Sequence, residues 1–420
     1  MRNAQPSSPR AQAALVLHHV LHHQRTLDEA LAERPLQGEG ADTRLVMMLV
    51  LSVLRHLGQI DALLARYIAK PLPPKRTMAQ QALRLGVVQL LLMQTPPHAA
   101  TNETVQLVKQ SKDGALAGLV NAVLQKIGRD MPALPPAVHN LPAWLRSRWE
   151  HHYGVEATAA MAEIAADRPP LDLNAPAPLT FPQGARLDDT IWRLPSAHDP
   201  VPILPGFTEG AFFVQDVAAS YPVRLLGDIA TLQVLDIGAA PGGKTAQLAR
   251  AGAEVTALDK SAARMTTLEE NMMRLKLQVT PVVADALQWQ PAQHYDVVLL
   301  DAPCSATGTW RRHPEASHVT TQHDITELAR QQRELLTRAW GWVKPGGRLL
   351  YCTCSLEPEE GELQAVWFLA HHADAKLVHA EPGDVPAEAI TPEGALRTRP
   401  DLLRARGGMD GFFAVIFRKV

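Results

Sequence analysis

Three cysteines are the chain's candidates for nucleophilic chemistry, and all of them lie in its last third. Cys304 and Cys354 each follow an apolar run that predicts a buried strand, and Asp301 lies just before the first of them. Cys352 is still inside its apolar run, so we expect it to be structural. A lone cysteine at a strand end would also usually be structural. Two cysteines from separate strands, with a carboxylate nearby, favour a chemical role for Cys304 and Cys354.

A glycine-rich turn is the second feature with chemical potential. It lies within Val234-Leu-Asp-Ile-Gly-Ala-Ala-Pro-Gly-Gly-Lys-Thr245, where a short apolar strand precedes the turn and helix-forming residues follow it. This arrangement seats nucleotide-like ligands at the carboxyl edge of a parallel sheet. As Gly-x-x-x-x-Gly-Lys-Thr, the turn matches the phosphate loop of an ATPase, for which Asp301 would hold magnesium. As Asp-x-Gly-x-x-Pro-Gly-Gly, it suits S-adenosylmethionine, which carries no phosphate.

Three features favour S-adenosylmethionine over a nucleoside triphosphate. Asp236, two residues before the turn, could pair with an ammonium but would repel a triphosphate. Pro241 removes one backbone N–H from a loop that would need such groups to hold phosphate. The next predicted strand ends in Asp259, 23 residues after Asp236, where a carboxylate can hold ribose hydroxyls. The turn and both carboxylates together predict a methyltransferase.

The two cysteines indicate which methyl acceptor would lie beside this cofactor. C5 of a pyrimidine is not nucleophilic by itself, but addition of a thiolate at C6 makes C5 enamine-like and able to accept a methyl group. A base then removes the C5 proton, and the thiol is eliminated. A cysteine at this edge is therefore needed if the methyl acceptor is a pyrimidine C5. The Cys-x-Cys pattern could also indicate a metal or redox site, but no matching His or Cys cluster accompanies it.

Four motifs resemble the RNA cytosine-C5 methyltransferases of the Sun/Fmu group. They are Ala239-Ala-Pro-Gly-Gly-Lys244, Asp301-Ala-Pro-Cys-Ser-Ala-Thr-Gly308, Arg311-Arg-His-Pro314 and Thr353-Cys354-Ser355. The helical amino-terminal part, with Gly118-Leu-Val-Asn-Ala-Val-Leu124, resembles a NusB-like RNA-binding domain. The resemblance covers nearly the whole chain. It implies an α/β Rossmann-like class I methyltransferase domain with a mostly parallel seven-stranded sheet, preceded by an all-α NusB-like domain.

The resemblance also implies a role for each site residue. Cys354 would attack C6, Cys304 would assist product release, and Asp301 would hydrogen-bond the base edge and touch the cofactor. Asp259 would hold the ribose of S-adenosylmethionine, and Asp285 would lie at its adenine end. The methionine part would lie on Gly238, Ala239, Ala240, Pro241, Gly242, Gly243 and Lys244. The implied substrate is a cytidine of 16S (small-subunit) ribosomal RNA, free or in an early ribosomal particle, and we expect a monomer without a metal.

Two further stretches and an arginine pair resemble positions of the same family. The stretches are Gln215-Asp216 and Asp410-Gly-Phe-Phe413, and the second is expected to end the sheet. Arg311 and Arg312 could contact RNA phosphate or only brace a loop, and the sequence favours neither.

The elements that would position these residues change character along the chain. Residues 10 to about 130 carry apolar side chains at helical spacing, for example Leu45, Met48, Leu49 and Val53. The weakly patterned, proline-rich stretch 168–205 predicts a few short strands. After Phe212, strands alternate with helices, which predicts a parallel sheet covered on both faces. The strands are predicted at 233–237, 254–258, 279–283, 295–300, 347–352 and 412–417, and the helices at 245–251, 261–275, 324–343 and 358–371. The predicted domains are therefore 1–135, 136–210 and 211–420.

Composition and charge limit the remaining possibilities. With 420 residues, 46% of them hydrophobic and 20% charged, the chain has the composition of an ordinary globular protein of two or three domains. No apolar run is long enough to cross a bilayer, no signal peptide is recognisable, and three clustered cysteines make a poor disulfide framework, so we expect a cytoplasmic protein. Residues 1–140 carry 15 Lys+Arg against 9 Asp+Glu. This positive balance fits RNA binding, although solvated helix faces explain it equally well.

The sequence leaves two other functions open. One is an ATPase that uses the glycine turn as a phosphate loop. The other is an RNA-binding, antitermination-like module with a decayed catalytic unit, against which the intact Cys354, Asp259 and Asp301 argue. The histidines at 18, 19, 22 and 23 include i,i+4 pairs that could grip a metal, but with no third ligand type nearby we expect half-buried or surface histidines.

Overall fold

The computed structural model describes residues 8–38, 40–175, 179–381, 383 and 385–420. These residues form two units. The first contains the described residues up to Asp167 together with the later segment Trp310–Val319, and the second contains the described residues of Arg168–Thr309 and Thr320–Val420. The predicted domain limits at residues 135 and 210 stay predictions.

The first unit is helical, as the spacing of its apolar residues predicts. Its first nine helices are α1 Pro9–His23, α2 Leu27–Glu33, α3 Ala41–Arg55, α4 Leu57–Tyr67, α5 Thr77–Val87, α6 Pro97–Lys109, α7 Ala117–Asp130, α8 Ala143–Tyr153 and α9 Val155–Ala166. Leu49, Val53 and Ile60 are fully buried in the core of this unit. Met48 is exposed because its neighbour Leu49 faces the core, and adjacent helical residues point about 100° apart.

Membrane-spanning length is not reached by any single helix among the described residues. Within the described part of the chain, α3 and α4 together combine sufficient length and hydropathy, and they are bent by 76° at the break between them.

The second unit begins with a small antiparallel sheet in the stretch that predicts a few short strands. Its strands are β1 Leu171–Asn174, β2 Ala185–Arg186, β3 Ile191–Leu194 and β4 Phe213–Val214. They lie in the order β2-β3-β1-β4. Leu173, Leu194 and Phe212 fill the core beside them. The prediction of short strands here is confirmed.

The larger sheet of the second unit has seven strands along its main path, in the order β10-β12-β9-β8-β5-β6-β7, with the short β11 beside β12. The strands are β5 Gln233–Ile237, β6 Glu254–Asp259, β7 Thr280–Val283, β8 Tyr295–Asp301, β9 Val343–Thr353, β10 Ala375–Val378, β11 Leu396–Arg397 and β12 Phe413–Lys419. From β7 to β9 all neighbours are parallel, whereas β12 and β10 run antiparallel at one side. The predicted seven-stranded, mostly parallel sheet is confirmed.

The later helices are α10 Val217–Arg224, α11 Gly243–Arg250, α12 Ala262–Leu275, α13 Ala316–Val319, α14 Gln322–Gly341 and α15 Glu362–His371, of which α13 belongs to the first unit. The helix predicted over 358–371 begins only at Glu362, because Pro358–Glu360 forms a 3-10 turn. The sequence patterns do not predict β10 and β11, which are short strands.

Helices cover both faces of this sheet, and the central strand β8 shows why its sequence is continuously apolar. Val297 and Leu299 contribute to one core cluster, with Leu248 of α11, whereas Val298 and Leu300 contribute to another, with α14. Successive strand residues point to opposite faces, so a strand that is buried on both sides must be apolar throughout.

A buried ion pair joins the small sheet to the carboxyl-terminal part of the second unit. The carboxylate of Asp172 accepts two hydrogen bonds from the Arg193 guanidinium, at 2.6 and 2.7 Å, and both residues are buried. Arg193 also donates to the carbonyl oxygens of Arg406 and Gly408, at 2.8 and 2.7 Å. Asp172 accepts a further bond from the backbone N–H of Val217 at 3.0 Å. The pair therefore connects three segments that are distant in sequence.

Replacing Arg193 with methionine should destabilise the second unit strongly. The substitution leaves the Asp172 carboxylate buried without its cation, and breaking a buried pair in this way typically costs about 3–5 kcal/mol. The measurement is the free energy of unfolding from urea titration. Arg330→Met is the matched control, because Arg330 pairs with Glu327 and Glu334 on the surface, where ion pairs contribute little. Equal losses in the two variants would contradict the expectation.

Candidate active site

Strands β5, β6, β8 and β9 carry the predicted site residues to one edge of the large sheet. In the pairing register Ile237 lies opposite Leu300, and Asp301 lies opposite Cys352. A cleft of about 420 Å³ opens at this edge. Six of the predicted residues line it, namely Gly238, Asp259, Asp285, Asp301, Cys304 and Cys354. The rest of the predicted cofactor turn, Ala239 to Lys244, is not part of the cleft lining.

Gly238 is the point at which the turn comes closest to β8. Its φ is +77°, and a Cβ at this position would overlap the carbonyl oxygen of Asp301. Only glycine combines this conformation with so close an approach. The N–H groups of Gly238 and Ala239 both donate to the carbonyl oxygen of Leu258, at 2.9 and 3.2 Å. The turn is therefore fixed against both neighbouring strands.

Asp236 lies beneath the turn, fully buried, and does not line the cleft. Its Oδ2 accepts a hydrogen bond from Thr245 Oγ1 at 2.6 Å, whereas Oδ1 has no hydrogen-bond partner among the described residues. Burial raises the pKa of this carboxyl to about 7 against the opposing hydrogen bond from Thr245, and the charge of Asp301 adds to the rise. This position does not support the expectation that Asp236 pairs directly with an ammonium in the cleft.

Lys244 forms an ion pair with Asp301. Its Nζ donates to Asp301 Oδ2 at 2.8 Å and lies 5.0 Å from the ring centroid of Phe412. Burial lowers the pKa of Lys244, but the charge of Asp301 outweighs this effect and the net shift is upward. In a phosphate loop this lysine would reach the β- and γ-phosphates. Here its ammonium is bound to a carboxylate, which argues against that interpretation of the turn.

Asp259 connects the end of β6 to the glycine turn. Its Oδ1 accepts a hydrogen bond from the N–H of Ser261 at 2.9 Å, and its Oδ2 accepts one from the N–H of Ala240 at 3.3 Å. Arg264 lies 3.5 Å from the same carboxylate. Asp285, by contrast, is exposed at the cleft. The predicted contacts of these two residues with ribose and adenine stay predictions.

The sulfur atoms of Cys304 and Cys354 lie 3.4 Å apart. Both residues are partly buried and line the cleft. The hydrogen bond with Cys354 and, next to it, burial raise the pKa of Cys304. Cys352 is fully buried in the core of the sheet, where burial raises its pKa, and its sulfur lies 3.6 Å from Asp301 Oδ1. The structure thus brings two of the three thiols together at the cleft.

The closing stretch Asp410–Phe413 anchors the loop of Cys354. The N–H of Gly308 donates to the carbonyl oxygen of Cys354 at 3.0 Å, and the N–H of Gly411 donates to that of Gly308 at 2.8 Å. The N–H of Asp410 donates to Asp216 Oδ1 at 3.0 Å. The two stretches that resemble family positions, at 215–216 and 410–413, therefore meet in the fold.

Sequence reasoning missed Glu360. This residue is fully buried and accepts hydrogen bonds from Ser305, next to Cys304, and from Ser355, next to Cys354. Burial raises its pKa, and the bonds from the two serines oppose that rise. The residue belongs to the acidic run Glu357-Pro-Glu-Glu360, at the start of the helix predicted over 358–371. Its nearness to Cys354 in the chain is the one signal that could have found it.

Two other expectations concern the role of Arg311 and Arg312 and a possible metal site. Arg311 is fully buried, and its carbonyl oxygen accepts a hydrogen bond from Arg55 at 3.0 Å, which favours the role of bracing a loop. Arg312 is exposed. Across the described part of the chain, no group of three or more His, Cys, Asp or Glu side chains is arranged to hold a metal ion.

The fold and the cleft define a Rossmann-like, S-adenosylmethionine-dependent methyltransferase. Solved structures agree with this class. The chain is similar to the protein PH0851, with 25% identity and a TM-score of 0.74 over 99% of this chain and 100% of that one. It is also similar to a methyltransferase homologue from Pyrococcus horikoshii, with 26% identity and a TM-score of 0.54 over 66% of this chain and 95% of that one.

Sequence comparison gives the family. The 16S rRNA methyltransferase RsmB/F family matches residues 226–418, and the NusB family matches residues 7–129. Ribosomal RNA small subunit methyltransferase B of Shewanella oneidensis is 37% identical over 88% of this chain and 91% of its own length. The protein of the same name from Vibrio cholerae is 32% identical over 98% and 97%. The chain belongs to the RsmB/F family of 16S rRNA methyltransferases.

Asp236→Asn should change how stability depends on pH. The Asp236 carboxyl has a pKa of about 7 in the fold and an ordinary value of 3.8. Its contribution to the free energy of unfolding is therefore complete below pH 3.8 and is lost as pH rises to about 7, at up to about 1.4 kcal/mol per pH unit. Asparagine does not titrate, so the variant should become more stable relative to wild type across this range. Urea unfolding at several pH values measures the difference.

The exposed Asp199→Asn is the control for this pH series, and its stability should follow that of wild type throughout. If the Asp236→Asn curve also runs parallel to wild type, the buried carboxyl does not titrate as expected.

Proposed function

We propose that this chain transfers a methyl group from S-adenosylmethionine to C5 of a cytosine in 16S ribosomal RNA, through a covalent bond between Cys354 Sγ and C6. The observation that carries the proposal is the pair of sulfur atoms, 3.4 Å apart, on the wall of the cleft. Methyl transfer to nitrogen or oxygen needs no thiol, because those atoms are nucleophiles themselves. Carbon C5 has to be activated first, and thiolate addition at C6 does this.

The residues around the cleft fit S-adenosylmethionine, which supplies an electrophilic methyl group when bound. Gly238 leaves part of the wall without a side chain, so that a ligand can approach the backbone. The turn from Gly238 to Lys244 would hold the methionine part. Asp259 and Asp285 would accept hydrogen bonds from the ribose hydroxyls and at the adenine end, since ionised carboxylates are acceptors only.

In the proposed reaction Cys354 attacks and Cys304 assists release. The thiolate of Cys354 would bond to C6, and the C5=C6 electron pair would form the bond to the methyl carbon while the sulfonium–methyl bond breaks and S-adenosylhomocysteine leaves. A base then takes the C5 proton, and the electrons of the C5–H bond restore C5=C6. The bond between C6 and sulfur breaks, and its electrons leave with the sulfur of Cys354. The raised pKa of Cys304 keeps it a thiol, which suits an assisting role better than attack. Asp301, oriented by Lys244, would hydrogen-bond the base edge.

The helical unit is proposed to bind RNA. Its match to the NusB family over residues 7–129 supports this role, and the positive balance of residues 1–140 is compatible with it. The substrate would be 16S ribosomal RNA, free or within an early small-subunit particle, and the enzyme would act as a cytoplasmic monomer.

Alanine substitutions should separate the roles of the two cysteines. Cys354→Ala should abolish methyl transfer, because C6 is then not attacked. Cys304→Ala should instead accumulate a covalent protein–RNA species, visible as a shifted band on a denaturing gel. Cys352→Ala is the control for loss of a thiol and should retain turnover. An adduct formed by the alanine variant at 354 but not by the one at 304 would reverse the assignment.

Calorimetric titration should distinguish the methyltransferase from the ATPase interpretation. S-adenosylhomocysteine should bind, and Asp259→Asn should weaken its binding by about tenfold, the effect of losing one hydrogen bond to a charged group. Asp296→Asn is the matched control, because Asp296 pairs with Lys344 and lies near the start of β8, away from the carboxyl edge. Binding of Mg-ATP that depends on Lys244, without binding of S-adenosylhomocysteine, would support the ATPase instead.

A further inference from the structure

The carboxylate of Glu360 has no part in the mechanism above, yet it lies between the two cysteine loops. It is fully buried and accepts four hydrogen bonds. Oε1 accepts from the N–H of Ser305 at 2.9 Å and from Gln332 Nε2 at 3.1 Å, and Oε2 accepts from the hydroxyls of Ser305 and Ser355. An ionised carboxylate offers about four acceptor sites and no donor, so these partners satisfy it completely.

Two of these partners are the chain neighbours of the cysteines. Ser305 directly follows Cys304, Ser355 directly follows Cys354, and the two serine hydroxyls are 3.2 Å apart. A single carboxylate therefore joins loops that leave two different strands, β8 and β9. Because each serine is one residue from a cysteine, a shift of the carboxylate would change the distance between the sulfur atoms.

Glu360 is also fixed from its backbone side. Its carbonyl oxygen accepts hydrogen bonds from the hydroxyls of Tyr351, at 2.8 Å, and Thr353, at 3.2 Å. Gln332, which donates to the carboxylate, also donates to the carbonyl oxygen of Pro303 at 2.9 Å. Pro303 precedes Cys304 and Thr353 precedes Cys354, so the network reaches both sides of each cysteine.

We propose that Glu360 is a positioning residue whose carboxylate holds the Cys304 and Cys354 loops together and so keeps the two sulfur atoms in contact. The proposal rests on the function proposed above for the two cysteines, but it concerns the protein before any ligand binds. Burying a carboxylate is costly unless it is hydrogen-bonded throughout. Four charge-assisted bonds, one from a backbone N–H and three from side chains, give more directional control than an apolar contact would.

Glu360→Gln tests the proposal, because it keeps the shape of the side chain but replaces one acceptor oxygen with an amide NH2 that faces donors. The readout is the rate at which diamide, an azo oxidant, joins Cys304 and Cys354 in a disulfide. Both thiols are oxidised, and diamide takes up two electrons and two protons. Mass spectrometry of the cross-linked peptides quantifies the product. We expect the rate to fall by about tenfold, the equivalent of one hydrogen bond to a charged group.

A second variant and two controls keep the test decisive. Ser355→Ala removes only one of the four donors and should lower the cross-linking rate less than Glu360→Gln does. It replaces Glu360→Gln in the test if that variant does not fold. Glu334→Gln makes the same chemical change at an exposed residue of α14, paired with Arg330, and should cross-link as wild type does. Phe368→Leu removes volume from the core under α15, where Phe368 packs on Trp340 and Phe417, so it should lower the melting temperature but leave the rate unchanged.

Methylation kinetics give an independent readout. Glu360→Gln should lower kcat while the KM values for cofactor and RNA stay near those of wild type, because the side chain is not part of the cleft lining. Cross-linking of Glu360→Gln at the wild-type rate, or an equal slowing by Phe368→Leu, would overturn the proposal. The cross-linking assay needs neither cofactor nor RNA. A wild-type protein that cross-links but does not methylate would therefore refute the proposed function alone.

Discussion

The site depends on the register of three strands at the carboxyl edge of the sheet. β8 lies between β5 and β9, with Leu300 opposite Ile237 and Asp301 opposite Cys352. Gly238, the residue after β5, therefore lies against the carbonyl oxygen of Asp301. Cys354 directly follows the end of β9 at the same edge of the sheet. Because strand residues alternate between faces, a slip of one residue would turn the Asp301 side chain to the opposite face of the sheet. The pairing of β8 with β5 and with β9 therefore positions the cofactor turn, the Asp301 carboxylate and the two thiols at the cleft.

Buried charge is the second constraint on the edge, because the low dielectric of the interior makes each unpaired group costly. Lys244 is paired with Asp301, and Glu360 is satisfied by four donors. Asp236 differs, because one of its oxygens has no hydrogen-bond partner among the described residues. Its burial raises its pKa to about 7. The site thus combines fixed charges, which hold geometry, with one carboxyl whose protonation is set by its surroundings.

Sequence reasoning recovered the features that leave a pattern. Strands buried on both faces give apolar runs, so β5, β6 and β8 are predicted within a residue, whereas the short β10 and β11 leave no such run. Glycine and cysteine at strand ends mark the cleft because their types are chemically unusual there. Glu360 could not be found in this way, since an acidic residue in the first turn of a predicted helix is common and is expected to be exposed. Its hydrogen-bond partners Ser305 and Gln332 are distant in sequence.

The distance between the sulfur atoms itself argues for unequal roles. Two thiolates 3.4 Å apart would repel strongly in a partly buried site, so ionisation of one thiol opposes ionisation of the other. The protein therefore holds at most one good nucleophile at a time. The hydrogen bond with Cys354 and burial raise the pKa of Cys304, and in the proposed mechanism Cys304 is the thiol that stays protonated. On this argument the same contact that suppresses Cys304 as a nucleophile keeps it beside Cys354, where the proposed mechanism needs a group that assists release of the product.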